Sequence, residues 1–211
     1  MFFIAHKGYD CNNSFISIYK SLSLPFYFKQ DVCWGETDLL WTGTQWILCH
    51  DFNEKDKKEN YETAHFLFKN LQYLSKNWKL ILDIKWDAIF NYHHDFVYAL
   101  NHLSYILPKY YGNICVQFSY ASHVQSAINH PVLSLYKIGY LMEDFSSDKY
   151  HFFSNIHFLM INIHKISQEE ILMIKKNYPD LWLIGFTCFS KSNLKYYKHL
   201  FTILNGLVCE L

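Results

Sequence analysis

The sequence predicts an α/β fold, a minimal (β/α)8 TIM barrel with a small hairpin inserted after strand two. Three observations lead there. Eight short, apolar, β-rich runs recur along the 211 residues. Segments of helical periodicity separate several of them, and strands that alternate with helices form parallel sheets. Charged and imidazole side chains also collect at the carboxyl ends of the runs, where barrels of this kind place their chemistry.

The expected strands are FFIAH (2–6), FYFKQDV (26–32), KLILDIK (79–85), ICVQFS (114–119), YKIGYLM (136–142), FLMINI (158–163), LWLIGFTC (181–188) and GLVCEL (206–211). Helical periodicity marks SFISIYKSL (14–22) and ETAHFLFKNLQYL (62–74). It returns in SQEEILMIKKNY (167–178), where Ser167 is the expected N-cap and Glu170 sits at the capping-box position. TGTQ (42–45), between DLLW and WILCHDF, reads as the turn of the inserted hairpin. No helical segment follows the eighth strand, so the expected barrel is minimal. With no linker-like or low-complexity stretch, residues 1–211 are expected to form one barrel domain.

Composition narrows the function classes. The chain is 51% hydrophobic and 18% charged with a formal net charge of zero, which fits a globular protein and lacks the basic footprint of a nucleic-acid binder. All 19 basic residues are lysine, so a lysine in place of an expected arginine carries little weight. The six cysteines show no CxxC pair, against a zinc site of the usual spacing. No apolar run reaches the length of a membrane span, and MFFIAHKG turns polar too early for a signal sequence. A cytoplasmic protein with reduced thiols, no nucleic-acid partner and no transmembrane segment is expected.

The residues at the strand ends are His6, Lys7 and Gly8 after strand one, Lys29 and Asp31 on strand two, and His50 and Asp51 after the hairpin. Asp83 and Lys85 end strand three, and Phe186 and Thr187 end strand seven. Taken singly each has an ordinary structural explanation: a solvated histidine, a satisfied ion pair, a helix cap. Their convergence on one end of one barrel points to a site. Lys29 and Asp31 stand out, because alternate positions of a strand share a face and charged residues are seldom buried unpaired.

The motifs FIAHKG, KQDV, ILCHDF and LILDIK, in this order, resemble the glycerophosphodiester phosphodiesterase family, a phosphatidylinositol-phospholipase-C-like phosphodiesterase barrel. Its signature runs HRG, E-x-D, HD after a small hairpin, and an L-E-I-K-like strand. GFTCF and NGLVCEL resemble its last two strands. The resemblance implies a hydrolase that converts a small-molecule or lipid-derived phosphodiester into an alcohol and a phosphomonoester, with a place in lipid metabolism. It implies His6 and His50 as the catalytic acid and base, and Lys7 and Lys85 as phosphate-binding cations. Asp83 and Asp31 become metal ligands or lysine-orienting groups, and Phe186 an apolar wall for the substrate.

On this alignment Lys29 falls where the family has a metal-binding glutamate, and an ammonium has no lone pair for a metal. Lys7, Lys29 and Lys85 against Asp31 and Asp83 leave the matched positions at a formal +1 without any ion. Two expectations follow. Lys29, paired to Asp31 and Asp83 with its charge facing the phosphate, replaces the divalent cation, as a basic side chain does in metal-independent bacterial phosphatidylinositol phospholipases, and no cofactor is needed. Otherwise a Ca or Mg ion is required, and a nearby carboxylate such as Glu36 or Glu210 joins the site. A catalytically degenerate barrel kept as a binding or structural protein is the alternative.

Overall fold

The computed structural model describes residues 2–7, 14–23, 32–50, 61–74, 77–86, 96–144, 153–188 and 198–209. Among these residues nine strands are present: β1 (Phe2–Ala5), β2 (Cys33–Trp41), β3 (Trp46–Leu48), β4 (Trp78–Lys85), β5 (Ile114–Phe118), β6 (Lys137–Met142), β7 (Phe158–Asn162), β8 (Trp182–Cys188) and β9 (Gly206–Cys209). Eight of them pair in parallel as a ring, β1-β2-β4-β5-β6-β7-β8-β9 and back to β1. The expected barrel is therefore closed. Its α-helices are α1 (Phe15–Ser23), α2 (Ala64–Leu71), α3 (Phe96–Ile106), α4 (Ala121–Ile128) and α5 (Gln168–Asn177). Among the described residues, the β6–β7 and β8–β9 crossovers carry only single 3-10 turns, at 153–155 and 198–200.

The strand alternation sorts the apolar residues into two cores. One face of each strand meets the helices, where Leu39, Leu80, Leu82, Val116, Leu159 and Leu183 pack against residues such as Ile18, Leu67, Leu103 and Ile171. The other face fills the barrel with Ile4, Trp34, Ile81, Cys115, Phe158, Met160, Ile184 and Val208. β6 adds no bulk at its inward position, Gly139, because a Cβ there would run into the Phe158 ring. Below this layer Phe2 stacks on Trp34 at 4.2 Å, both pack edge-on to Trp182, and the Lys137 ammonium lies 4.5 Å over the Trp182 ring. The amino end of the barrel is thereby plugged, and polar residues are left to the carboxyl end.

Strand two differs from its expected position. The strand that joins β1 to β4 is Cys33–Trp41, while residues 26–31 lie outside the described residues. DLLW is accordingly the second half of β2 itself, and the hairpin grows from the strand rather than following it. There is a structural reason for the hairpin. β1 pairs only with the start of β2, at Trp34 and Gly35, so the longer strand overruns it and leaves an open edge. β3 turns back through Gly43, at φ 90°, and covers that edge by antiparallel pairing of Leu39, Leu40 and Trp41 with Leu48, Ile47 and Trp46. Trp41 and Trp46 are fully buried together beneath α3, where the Trp46 indole donates to the Ala99 carbonyl.

Ser167 caps α5 as expected: its side chain accepts from the Glu170 backbone N–H, and Glu170 reaches back to the Ser167 N–H at 2.7 Å. No helix among the described residues is long and apolar enough to cross a membrane.

Candidate active site

The inward positions nearest the carboxyl end carry the polar side chains. β2 presents Glu36 and Asp38 on one face, two residues beyond the floor residue Trp34. β4 presents Asp83 and Lys85 above Ile81. Register sets Asp38 opposite Asp83, and Asp83 opposite Gln117 of β5, so the three occupy one layer. Glu36, Asp38 and Asp83 are all buried, and each offers an oxygen within 4.8 Å of the other two.

β1 and the hairpin add the remaining groups. The His6 backbone N–H continues the β1–β9 pairing by donating to Cys209, which carries the imidazole to within 4.0 Å of Glu36 Oε2. Lys7 then adopts φ 51°, a left-handed conformation that costs a non-glycine residue energy. That turn lets its backbone N–H donate to Glu36 at 2.9 Å while its ammonium comes within 3.9 Å of Asp38. The return arm of the hairpin places Cys49 N–H on the Asp38 carbonyl, and His50 follows at the rim. The cavity above these groups measures about 400 Å³, and Phe186, Met160 and Leu141 form its apolar side.

Electrostatics tie the groups together. Burial and the neighbouring Asp38 and Asp83 carboxylates push the Glu36 pKa well above the carboxylate range, against the Lys7 N–H that stabilises its charge. Burial also raises Asp38, with Asp83 adding repulsion and Lys85 opposing both. Burial disfavours the Lys85 ammonium, yet Asp83 at 2.7 Å and Asp38 at 3.3 Å outweigh it and hold its pKa above the ordinary lysine value. His6 is pushed down to about 4, by burial first and then by Lys7 and Lys85, so its imidazole is neutral at pH 7.

This set fits a divalent cation. Ca and Mg are bound by carboxylate oxygens, and here three buried carboxylates repel one another around a common point. Asp83 Oδ1 is buried without a hydrogen bond among the described residues. Glu36, Asp38 and Asp83 against Lys7 and Lys85 leave a net formal charge of −1, which one divalent ion would turn to +1.

Of the residues expected at the site, His6, Lys7, His50, Asp83, Lys85 and Phe186 line this one cavity. Lys29 and Asp31, like Gly8 and Asp51, lie outside the described residues. The E-x-D pattern is met on β2 by Glu36-Thr37-Asp38 instead of Lys29-Gln30-Asp31. The expected ammonium at Lys29 is therefore neither placed at this cavity nor removed from it by the described residues. Glu36, weighed only as a fallback, is a central carboxylate, and Asp38 and Gln117 complete the layer. The literal E-T-D just before the hairpin turn was the signal for the first two. Trp34 and Trp41 near these strand ends belong to the floor and to the outer core, not to the cavity.

No family model matches the sequence, and no curated protein matches it. Solved structures do match. A glycerophosphodiester phosphodiesterase from Parabacteroides distasonis ATCC 8503 is similar at 14% identity and a TM-score of 0.73, over 99% of this chain and 92% of that one. An Oleispira antarctica phosphodiesterase, solved in complex with the product sn-glycerol-3-phosphate, gives the same identity, TM-score and coverage. A third, described as a glycerophosphodiester phosphodiesterase of Galdieria sulphuraria, matches at 14% identity and a TM-score of 0.69, over 99% and 93%. At such identities the likeness is one of fold: this chain has the barrel of those phosphodiesterases.

Proposed function

We propose that this barrel is a cation-dependent phosphodiester hydrolase of the glycerophosphodiester phosphodiesterase type. The observation that carries the reading is the meeting, in one cavity, of two histidines, three buried carboxylates within 4.8 Å of each other and two lysines. Fold alone would not select this chemistry, since one barrel hosts many reactions.

Glu36, Asp38 and Asp83 are the groups that hold the cation. When bound, the ion supplies positive charge against a non-bridging phosphate oxygen and so favours attack at phosphorus. Lys85, clamped by two aspartates, and Lys7, fixed by its left-handed turn, present further positive charge to the same phosphate. His6, neutral at pH 7, accepts a proton from the water that attacks phosphorus as the bond from phosphorus to the alcohol oxygen breaks. His50, at the rim, donates a proton to the departing alcohol oxygen, and solvent exchange resets both rings. Phe186 shields one side of the cavity. The substrate is a small-molecule or lipid-derived phosphodiester.

Hydrolysis of glycerophosphocholine with Mg or Ca tests the reading. Activity in the native chain is expected, and His6→Ala and His50→Ala should each lower kcat by about 10²- to 10⁴-fold. Native-level turnover in both variants would remove these histidines from the chemistry. Absence of turnover in the native chain would favour a degenerate barrel that only binds.

A further inference from the structure

The large apolar side chains that remain exposed among the described residues are unevenly placed. Of ten, six lie on or just past α1, α2 and α3: Ile16, Phe66, Tyr73, Val97, Tyr98 and Tyr105. Four of them form a regular figure. Phe66 and Tyr73 stand seven residues apart on α2 and the turn that extends it, and Tyr98 and Tyr105 stand seven apart on α3. Two helical turns separate the members of each pair by about 10 Å, and α2 lies beside α3. The four rings thus mark the corners of one patch on the outer wall, with Tyr73 69% and Tyr105 89% exposed. A single exposed apolar group is ordinary, whereas a cluster on one wall marks a contact surface.

Charge selects the partner. Among the described residues, the exposed side chains of α1, α2 and α3 include Lys20 and Lys69 but no carboxylate, and Lys109 follows α3. Lys69 sits between Phe66 and Tyr73. Glu62, which precedes α2, is engaged with the Phe15 backbone N–H at the start of α1. The other helices differ: α4 exposes Ser122 and Gln125, and α5 exposes Glu169 as well as Lys176. A second copy of this chain seated on the patch would set lysine against lysine. A bilayer with anionic lipids offers headgroup charge to the lysines and an interfacial layer that takes up aromatic rings.

We propose that the α2–α3 wall is a peripheral docking surface for an anionic lipid bilayer. The patch lies outside the barrel cavity, so docking and phosphodiester hydrolysis stand or fall separately.

Co-sedimentation of the full chain with vesicles tests it, using phosphatidylcholine alone and three parts phosphatidylcholine to one part phosphatidylserine. The native chain is expected to sediment with the mixed vesicles, much less with phosphatidylcholine alone, and to be released by high salt. The double variant Tyr73→Ser, Tyr105→Ser should lose sedimentation at an unchanged Tm. Lys20→Glu with Lys69→Glu should weaken binding about 10-fold or more. Failure of the native chain to sediment, equal binding to both vesicles, or native-level binding by either variant overturns the proposal. Light scattering that shows a dimer dissolved by the tyrosine variant would make the wall an interface between copies. A large fall in Tm in that variant would show the tyrosines to be covered by the chain itself. Either result also overturns it.

Discussion

Glu36 shows how one side chain binds stability to function. It is buried and close to two other carboxylates, and the Lys7 N–H at 2.9 Å offsets only part of the resulting cost of its charge. Its folded pKa lies above the ordinary value, so at neutral pH its charge works against the fold until a cation relieves it. Glu36→Gln keeps the shape and the acceptor but removes the charge. The variant should melt at a higher temperature than the native chain after chelation, and gain much less from added Mg or Ca. A differential scanning fluorimetry titration checks both. An unchanged cation response would take Glu36 out of the cation site. Lys85 carries the opposite balance: two aspartates compensate its burial, so Lys85→Met would strand Asp38 and Asp83 as uncompensated charges.

At the scale of elements, β2 explains what was legible and what was not. The outward residues Leu39 and Trp41 look like strand, but the inward residues Glu36 and Asp38 toward the carboxyl end of the barrel do not. FYFKQDV, richer in aromatic and β-forming residues, therefore reads as the better strand. Active-site strands break local rules for this reason: their inward ends serve the ligand and not the core. Strands with an apolar inward face, such as β7 and β8, were legible to within a residue or two, as was α5 with its capping box. The placement of His6 and His50 was legible because each lies within two residues of a strand's end. Gln117 was not, since a lone glutamine in an apolar run carries no motif.

The helices carry a titration of their own. His123 of α4 stacks on Phe96 of α3 at 3.6 Å and 13°, and burial pushes its pKa down to about 4. A histidine lowered in the folded state leaves the unfolded chain binding more protons between its ordinary value and about 4. The fold should therefore lose stability as pH falls through that window, with the His123 contribution fully present above it. His123→Phe keeps the stacking and should flatten this part of the stability–pH curve in urea melts. A variant with an unchanged slope would show that the α3–α4 stacking does not govern it.

For the whole molecule, the plugged amino end and the polar carboxyl end give the barrel a single direction. Phe2, Trp34 and Trp182 close the floor, the middle layer is apolar, and the charges stand where the loops open. Low dielectric beneath the site strengthens every interaction among Glu36, Asp38, Asp83 and Lys85, and the formal −1 of the described groups favours a cation. A cation-dependent enzyme and one in which a lysine does the ion's work differ in their response to chelation. Turnover of a glycerophosphodiester before and after exhaustive chelation is the most direct measurement of that difference. Chelation should abolish turnover, and Ca or Mg should restore it. Full activity in the chelated protein would contradict a cation held by Glu36, Asp38 and Asp83.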